Sequence, residues 1–136
     1  MEAENSVVRR FFAEAWNSTD LTLVDELIAP GYVGHDVNIT HAERGPERIK
    51  RIMTTFRAAF PDLQVTVEDV VIQGEKEVVR WTSRGTHKGP FMNIAPTGKQ
   101  VSVSGTDIGR VVNGQIQEMW SNWDGLGLMR QLGAVS

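Results

Sequence analysis

The hydrophobic periodicity of this 136-residue chain changes once, next to Pro61-Asp62, and this change limits the possible fold more than any other feature. Before it, apolar residues recur at helical spacing in three segments, 8–16, 23–28 and 49–60. After it, from Leu63 onward, apolar and polar residues alternate with the period of two that is typical of strands. Helices followed by a run of strands predict an α+β fold, with three N-terminal helices packed on one face of an antiparallel sheet.

Turn signals divide both halves of the chain. Pro30-Gly31 is expected to end the second helix, and Gly45-Pro46 to begin the third, because proline suits the first helical position. Among the four long strands, two are joined across "QGEK" and two across Asn113-Gly114, a strong hairpin signal. The stretch "HKGPFMNIAPTG" between the two pairs reads as a turn-rich connection with room for a short edge strand.

Three glycines lie inside the predicted strands. Gly85, Gly105 and Gly109 favour bulges or sharp bends, so we expect a strongly curved sheet. A curved sheet closed by helices gives a cone-shaped fold that encloses a pocket. Residues 1–136 are expected to form one domain, since the length suits a single core.

Composition excludes several classes of function. The net charge is −3 and the 14 Lys and Arg residues are scattered, so no nucleic-acid partner is expected. No apolar run reaches membrane-spanning length, and the N-terminus lacks the pattern of a secretory signal, which favours a cytoplasmic protein without a membrane partner. The chain has no cysteine, so disulfides, thiolate metal sites and cysteine nucleophiles are ruled out.

The motifs of metal and serine chemistry are missing from the sequence. His35, His41 and His87 are not spaced as metal ligands, no G-x-S-x-G elbow occurs, and we expect neither a metal nor a cofactor. A structural hydrogen bond is the favoured role of His87, which precedes a glycine-rich connection. His35, between two predicted helices, is expected at the cavity mouth, where a catalytic and a structural role are equally open.

Acid–base chemistry inside the cavity remains, and Asp107 is the leading candidate. It lies in the middle of the strand "SGTDIGRVV", where burial among apolar walls would raise its pKa and make it a stronger base near neutral pH. The alternative is a structural ion pair across the sheet with Arg80, Arg84 or Arg110.

The last strand offers a second group of candidates. Trp120, Asn122 and Asp124 alternate onto one face, and a tryptophan beside polar residues suits a pocket that stacks a flat ligand. Each tryptophan could equally be core. Asp124, directly before "GLGLMRQLG", could contact substrate or cap a short terminal helix.

The chain resembles the SnoaL-type polyketide cyclases of the nuclear-transport-factor-two-like superfamily. The resemblance rests on the G-T-H-x-G, A-P-T-G and terminal R-Q-L-G elements in this order and is densest over 60–133. It implies a cone-shaped α+β fold, a deep apolar pocket and a homodimer formed through the sheets. It also implies intramolecular aldol cyclisation by an aspartate on the last strand and a histidine on the strand before it. In this chain the histidine position falls on Asp107, and the aspartate position on Ser121 or, with a bulge, on Asn122.

These observations give a main hypothesis and two alternatives. In the first, a cofactor-free cyclase or isomerase acts on an apolar or aromatic carbonyl compound. Asp107 is the base, Asn122, Ser121 or His35 polarises the enolate oxygen, and Trp81 and Trp120 stack the substrate. In the second, the same fold is a non-catalytic protein that binds a small molecule. The third is an epoxide hydrolase or a dehydratase. The enzyme hypotheses require Asp107 to face the cavity.

Overall fold

The computed structural model describes residues 3–36, 38–39 and 43–135. After a short 3-10 turn, the helices are α1 (Val7–Arg10), which runs directly into a π-helical turn (Phe11–Ala15), α2 (Thr22–Leu27), α3 (Pro46–Ala59) and α4 (Gly125–Gln131). The first predicted helix, 8–16, is thus α1 together with the π-helical turn, and α4 is the short terminal helix that was one alternative for the residues after Asp124. No helix in these ranges is long and apolar enough to cross a membrane.

Five strands form one sheet, in the order β1-β5-β4-β3-β2. The strands are β1 (Ile28–Asp36), β2 (Gln64–Gln73), β3 (Lys76–Thr86), β4 (Gln100–Val112) and β5 (Gln115–Trp123). Neighbours from β2 to β5 are antiparallel, as predicted. The α+β class is therefore confirmed, with helices against one face of the sheet.

The first strand, β1, differs from the prediction. Pro30-Gly31 was predicted to end the second helix, but α2 ends at Leu27 and the dipeptide lies inside β1, which pairs parallel with β5. The pairing is irregular between Ile28 and Val33, and this gap spans the proline, which has no N–H to donate. β1 can therefore contain Pro30-Gly31 because it is an edge strand and its pairing is irregular at the proline.

The strand glycines make room for side chains, whereas the prediction placed bulges at them. The register shifts lie elsewhere, between Val67 and Asp69 in β2 and next to Arg110 in β4. A Cβ added at Gly105 would be 2.7 Å from Trp81 Cε2, which no ordinary packing tolerates. Of the two alternatives predicted at these glycines, bulges or sharp bends, the bulges were therefore wrong. These positions instead let large side chains lie against the inner face of the sheet.

The hairpin between β4 and β5 follows the prediction. Asn113 and Gly114 have φ values of 53° and 76°, the left-handed conformation that a two-residue type I′ turn requires. Directly after this turn the pairs are Val112–Gln115 and Val111–Ile116. The next pair is Arg110–Glu118, so one extra residue of β5 is accommodated between these pairs as a bulge.

Candidate active site

A cavity lies between the inner face of the sheet and the helices, with an empty volume of about 910 Å³ including its open mouth. The π-helical turn and α3 supply one wall, and β1, β3, β4 and β5 supply the other. Most side chains in the wall are apolar, and its aromatic members include Phe11, Phe12, Trp16, Phe56, Trp81 and Trp123. Such a space suits a flat organic molecule that is held by few polar contacts.

Asp107 lies in the wall of this cavity and is only 2% exposed. Trp81 Nε1 donates a hydrogen bond of 2.9 Å to Oδ1, and the Ser121 hydroxyl donates to Oδ2. Burial raises the pKa of Asp107 to about 6, although both hydrogen bonds oppose this change and the charge of Asp36 adds to it. At neutral pH the group is a carboxylate that accepts a proton more readily than an ordinary aspartate.

The alternative of a structural ion pair for Asp107 is not what the structure shows. Arg80 binds Asp69 at 2.6 Å on the exposed side of β2 and β3. Arg110 lies 3.5 Å from Glu118. Arg84 borders the cavity but is exposed, and within the described ranges Asp107 has no salt bridge to any arginine.

A second polar group of the cavity comes from β1 and α3. Tyr32, Gly34 and Asp36 alternate along β1 and line the cavity, together with Arg48 from α3. Both oxygens of Asp36 accept from Trp123 Nε1, at 3.1 and 2.9 Å. Neither Tyr32, Asp36, Arg48 nor Trp123 was predicted as a site residue.

Tyr32 and Arg48 are both almost fully buried, at 2% and 3% exposure. A Cβ on Gly34 would be 2.7 Å from Arg48 Nε and 2.9 Å from the Tyr32 hydroxyl, so the two side chains converge on the space that this glycine leaves open. Arg48 Nη2 also donates to the Ile39 carbonyl at 3.3 Å. Burial and then the charge of Asp107 raise the pKa of Tyr32 above its usual range, so its phenol keeps its proton.

Two of the predicted residues on β5 face away from the cavity. Trp120 stacks on the His35 ring at 5.4 Å between centroids, and Lys76 Nζ lies 4.9 Å from the indole on the outer face of the sheet. Asn122 is exposed on the same face. The prediction that both residues line the pocket was therefore wrong, because the strand presents Met119, Ser121 and Trp123 to the cavity instead.

The remaining predictions divide between the rim of the cavity and structural positions. His35 borders the cavity, but its imidazole binds Glu118 at 2.6 Å and is 45% exposed, so the ring does not face the candidate base. Asp124 is exposed and caps α4 by accepting from the Gly127 amide at 2.8 Å. It does not line the cavity, so its expected contact with substrate has no geometric support. Trp81 does line the cavity, and Phe12 covers one face of its indole at 5.5 Å.

The histidine of the G-T-H-x-G element ties two motifs together. His87 is fully buried, and its Nδ1 accepts from the Thr97 amide at 3.2 Å, which links this element to A-P-T-G. The expected structural hydrogen bond is present. His41 lies outside the described residues, and those residues contain no cluster of three side chains that could hold a metal ion.

Comparison with known proteins found similar sequences and similar solved structures. The family model described as SnoaL-like polyketide cyclase matches residues 6–132. Aklanonic acid methyl ester cyclase DauD from Streptomyces sp. (strain C5) is 29% identical over 143 residues, which cover 98% of this chain and 83% of DauD. The structure of TsrD from Streptomyces laurentii matches with a TM-score of 0.86 and 31% identity over 98% of this chain and 97% of TsrD. For IdmH from Streptomyces antibioticus the TM-score is 0.82 and the identity 33%, over 93% of this chain and 96% of IdmH.

Proposed function

This chain belongs to the SnoaL-like polyketide cyclase family, and on that premise we propose that it closes a ring in an apolar or aromatic carbonyl compound with Asp107 as general base. The observation that carries the proposal is the position of this carboxylate. It is buried in the wall of an aromatic-lined cavity, and Trp81 and Ser121 hold it there. A base with a pKa of about 6 is ionised at neutral pH and still has useful proton affinity.

The proposed reaction is an isomerisation that needs no cofactor. Asp107 takes a proton from the carbon next to a carbonyl group, and the electron pair of that C–H bond forms the enolate. The enolate carbon attacks a second carbonyl carbon of the same molecule, which forms the new C–C bond. The oxygen of the second carbonyl then takes the proton back from Asp107, so atoms and electrons balance and the base is regenerated.

The test is turnover of enolisable polyketide carbonyl compounds, beginning with aklanonic acid methyl ester because the relative DauD is named for it. Product formation is followed by chromatography and mass spectrometry. We expect Asp107→Asn to lower kcat by about 10²- to 10⁴-fold, the usual contribution of a general base. Asp124→Asn is the matched control, since it makes the same chemical change at the exposed cap of α4, where asparagine also caps well. A substrate that Asp107→Asn converts within about threefold of the wild-type rate would rule out the proposed base.

The non-catalytic alternative makes a different prediction in the same experiment. A binding protein would raise its melting temperature with the compounds but return them unchanged, and Asp107→Asn would behave like the wild type. Wild-type turnover that is lost in Asp107→Asn and kept in Asp124→Asn separates the two functions.

A further inference from the structure

Tyr32 and Arg48 line the cavity, but the base chemistry of Asp107 does not use them. We propose that these two side chains bind the oxygen on which negative charge develops when the substrate loses its proton. The inference rests on the proposed function and adds a site of specificity to it: the ligand must present an enol or enolate oxygen to β1 and α3. The sequence predicted Asn122, Ser121 or His35 for this task. Asn122 is exposed on the outer face, Ser121 donates to Asp107, and His35 binds Glu118.

The first argument is convergence. Arg48 Nε and the Tyr32 hydroxyl both lie within 3 Å of the point that a side chain at position 34 would occupy. Gly34 lies between Tyr32 and Asp36 on the cavity side of β1, and because it has no side chain, the Arg48 Nε and the Tyr32 hydroxyl can lie together against the strand at the cavity wall. Any residue with a Cβ at this position would clash with both donors.

The second argument is electrostatic. Arg48 is a buried cation in a wall that is otherwise mostly apolar, and a charge in such a place interacts strongly with an opposite charge that arrives in the cavity. Tyr32 keeps its proton because burial and the nearby Asp107 raise its pKa, so it is a donor and not an acceptor for an anionic oxygen. The charges of Asp107, Asp36 and Glu118 raise the pKa of Tyr32, and Arg48 is the cation that lowers it.

The third argument is the geometry of the reaction. Asp107 on β4, Tyr32 on β1 and Arg48 on α3 all line the same cavity, so the base and the two donors face one bound substrate. As the substrate C–H bond breaks, the proton goes to Asp107 and the carbonyl π pair moves onto oxygen. That oxygen accepts hydrogen bonds from Tyr32 and Arg48, which are already in place and need no reorganisation.

The test uses two matched ligands that require no turnover. 2-Hydroxy-1,4-naphthoquinone is an acidic enol that is ionised at neutral pH and resembles an enolate, and 2-methoxy-1,4-naphthoquinone is its uncharged ether. The chain has no cysteine for these quinones to alkylate. Their dissociation constants are measured by tryptophan fluorescence and calorimetry at pH 7.5 with wild type, Arg48→Met, Arg48→Lys, Tyr32→Phe and Asp107→Asn.

We expect wild type to bind the enolate at least about tenfold more tightly than the ether, a preference that a buried, desolvated charge pair supplies. Arg48→Met should lose most of this preference while binding the ether within about twofold of wild type, and Arg48→Lys should keep part of it. Tyr32→Phe should lose about three- to tenfold of enolate affinity, because one donor is removed. Circular dichroism melts show which variants are folded, and Tyr32→Phe with Arg48→Lys carries the test if Arg48→Met does not fold.

Equal affinity of wild type for the two quinones, or an unchanged preference in the folded Arg48 and Tyr32 variants, would overturn the proposal. Asp107→Asn separates this result from the proposed function. It should bind the enolate as tightly as wild type or more tightly, since a negative charge is removed from the cavity. The oxygen site can therefore be confirmed even if the protein shows no turnover that depends on Asp107. If the oxygen site is excluded, the turnover experiment still tests Asp107 as the base.

Discussion

The burial of Asp107 opposes the stability of the folded protein, whereas the proposed base chemistry depends on it. Its carboxylate is buried, so its pKa is raised to about 6 in the folded protein from its ordinary value of 3.8. Between these two values the folded state holds a proton that the unfolded state has lost, so stability falls as pH rises through this window. Above pH 6 the ionised group costs the folded state about 3 kcal/mol, at roughly 1.4 kcal/mol for each pKa unit.

The first prediction is therefore that Asp107→Asn stabilises the protein at neutral pH. We expect a gain of about 1–3 kcal/mol in the free energy of unfolding at pH 7.5, which shrinks towards zero as the pH approaches 4. Urea unfolding of wild type and variant at pH 7.5, 6 and 4.5 measures the difference, with Asp124→Asn as the exposed control. A gain that does not change with pH would show that the charge of Asp107 is not its cause.

The second prediction concerns the hydroxyl that holds this carboxylate. Ser121 donates to Asp107 and lowers its pKa, so Ser121→Ala should move that pKa upward. The acid limb of the profile of kcat/KM against pH, expected near pH 6, should shift to higher pH in the variant. Asn122→Ala, next along the strand but on the outer face, serves as the control. A limb that stays in place would mean that Asp107 does not set it.

At the scale of elements, strand pairing decides which residues enter the site. The alternation of β5 predicts two faces but does not say which of them the helices cover. An unbroken register from the turn at Asn113-Gly114 would set Asp107 opposite Trp120, whereas the bulge sets it opposite Ser121. One extra residue thus exchanges the faces, which is why the sequence pattern predicted Trp120 and not Trp123 at the cavity.

β1 explains the other residues that the sequence argument missed. Its Pro30-Gly31 reads as a turn signal, and its pairing partner β5 is about eighty residues away in the chain. Local patterns cannot reveal such a parallel edge strand, because the hydrogen bonds that define it come from distant residues. Without β1, nothing in the sequence brings Tyr32 and Asp36 to the cavity. The helical periodicity of α3 and the hairpin of β4 and β5, which are local, were predicted correctly.

The third prediction tests the close packing of the sheet under the site. A Cβ at Gly105 would lie 2.7 Å from Trp81 Cε2 and 2.9 Å from Trp123 Cβ, so Gly105→Ala should displace the two indoles that bind Asp107 and Asp36. We expect a loss of about 1–3 kcal/mol in the free energy of unfolding, as overpacking usually costs. Gly31→Ala in β1 is the control, because no atom lies within 4 Å of its added Cβ. Equal melting temperatures for the two variants would contradict the packing argument.

At the scale of the whole molecule, the two faces of the sheet have separate tasks. The inner face and the helices enclose the cavity within a single chain. The outer face carries a row of apolar side chains at consecutive register positions of four strands, Val71, Val78, Ile108 and Trp120. Val71 is 61% and Ile108 38% exposed, and a row of this kind on an open sheet is typical of a surface that another protein covers.

The fourth prediction is that a second copy of this chain covers this row, which makes the protein a homodimer through its sheets. A two-fold axis would bring each row against its own copy, since the same patch is used on both subunits. Wild type should sediment as a dimer at about 50 µM, and Ile108→Glu as a monomer, because the interface would bury two carboxylates without partners. Thr54→Glu, which adds the same charge at an exposed position of α3, should remain dimeric. Because one chain lines the whole described cavity, the Ile108→Glu monomer should still bind 2-hydroxy-1,4-naphthoquinone. A monomeric wild type, or a dimeric Ile108→Glu variant, would exclude this surface as the interface.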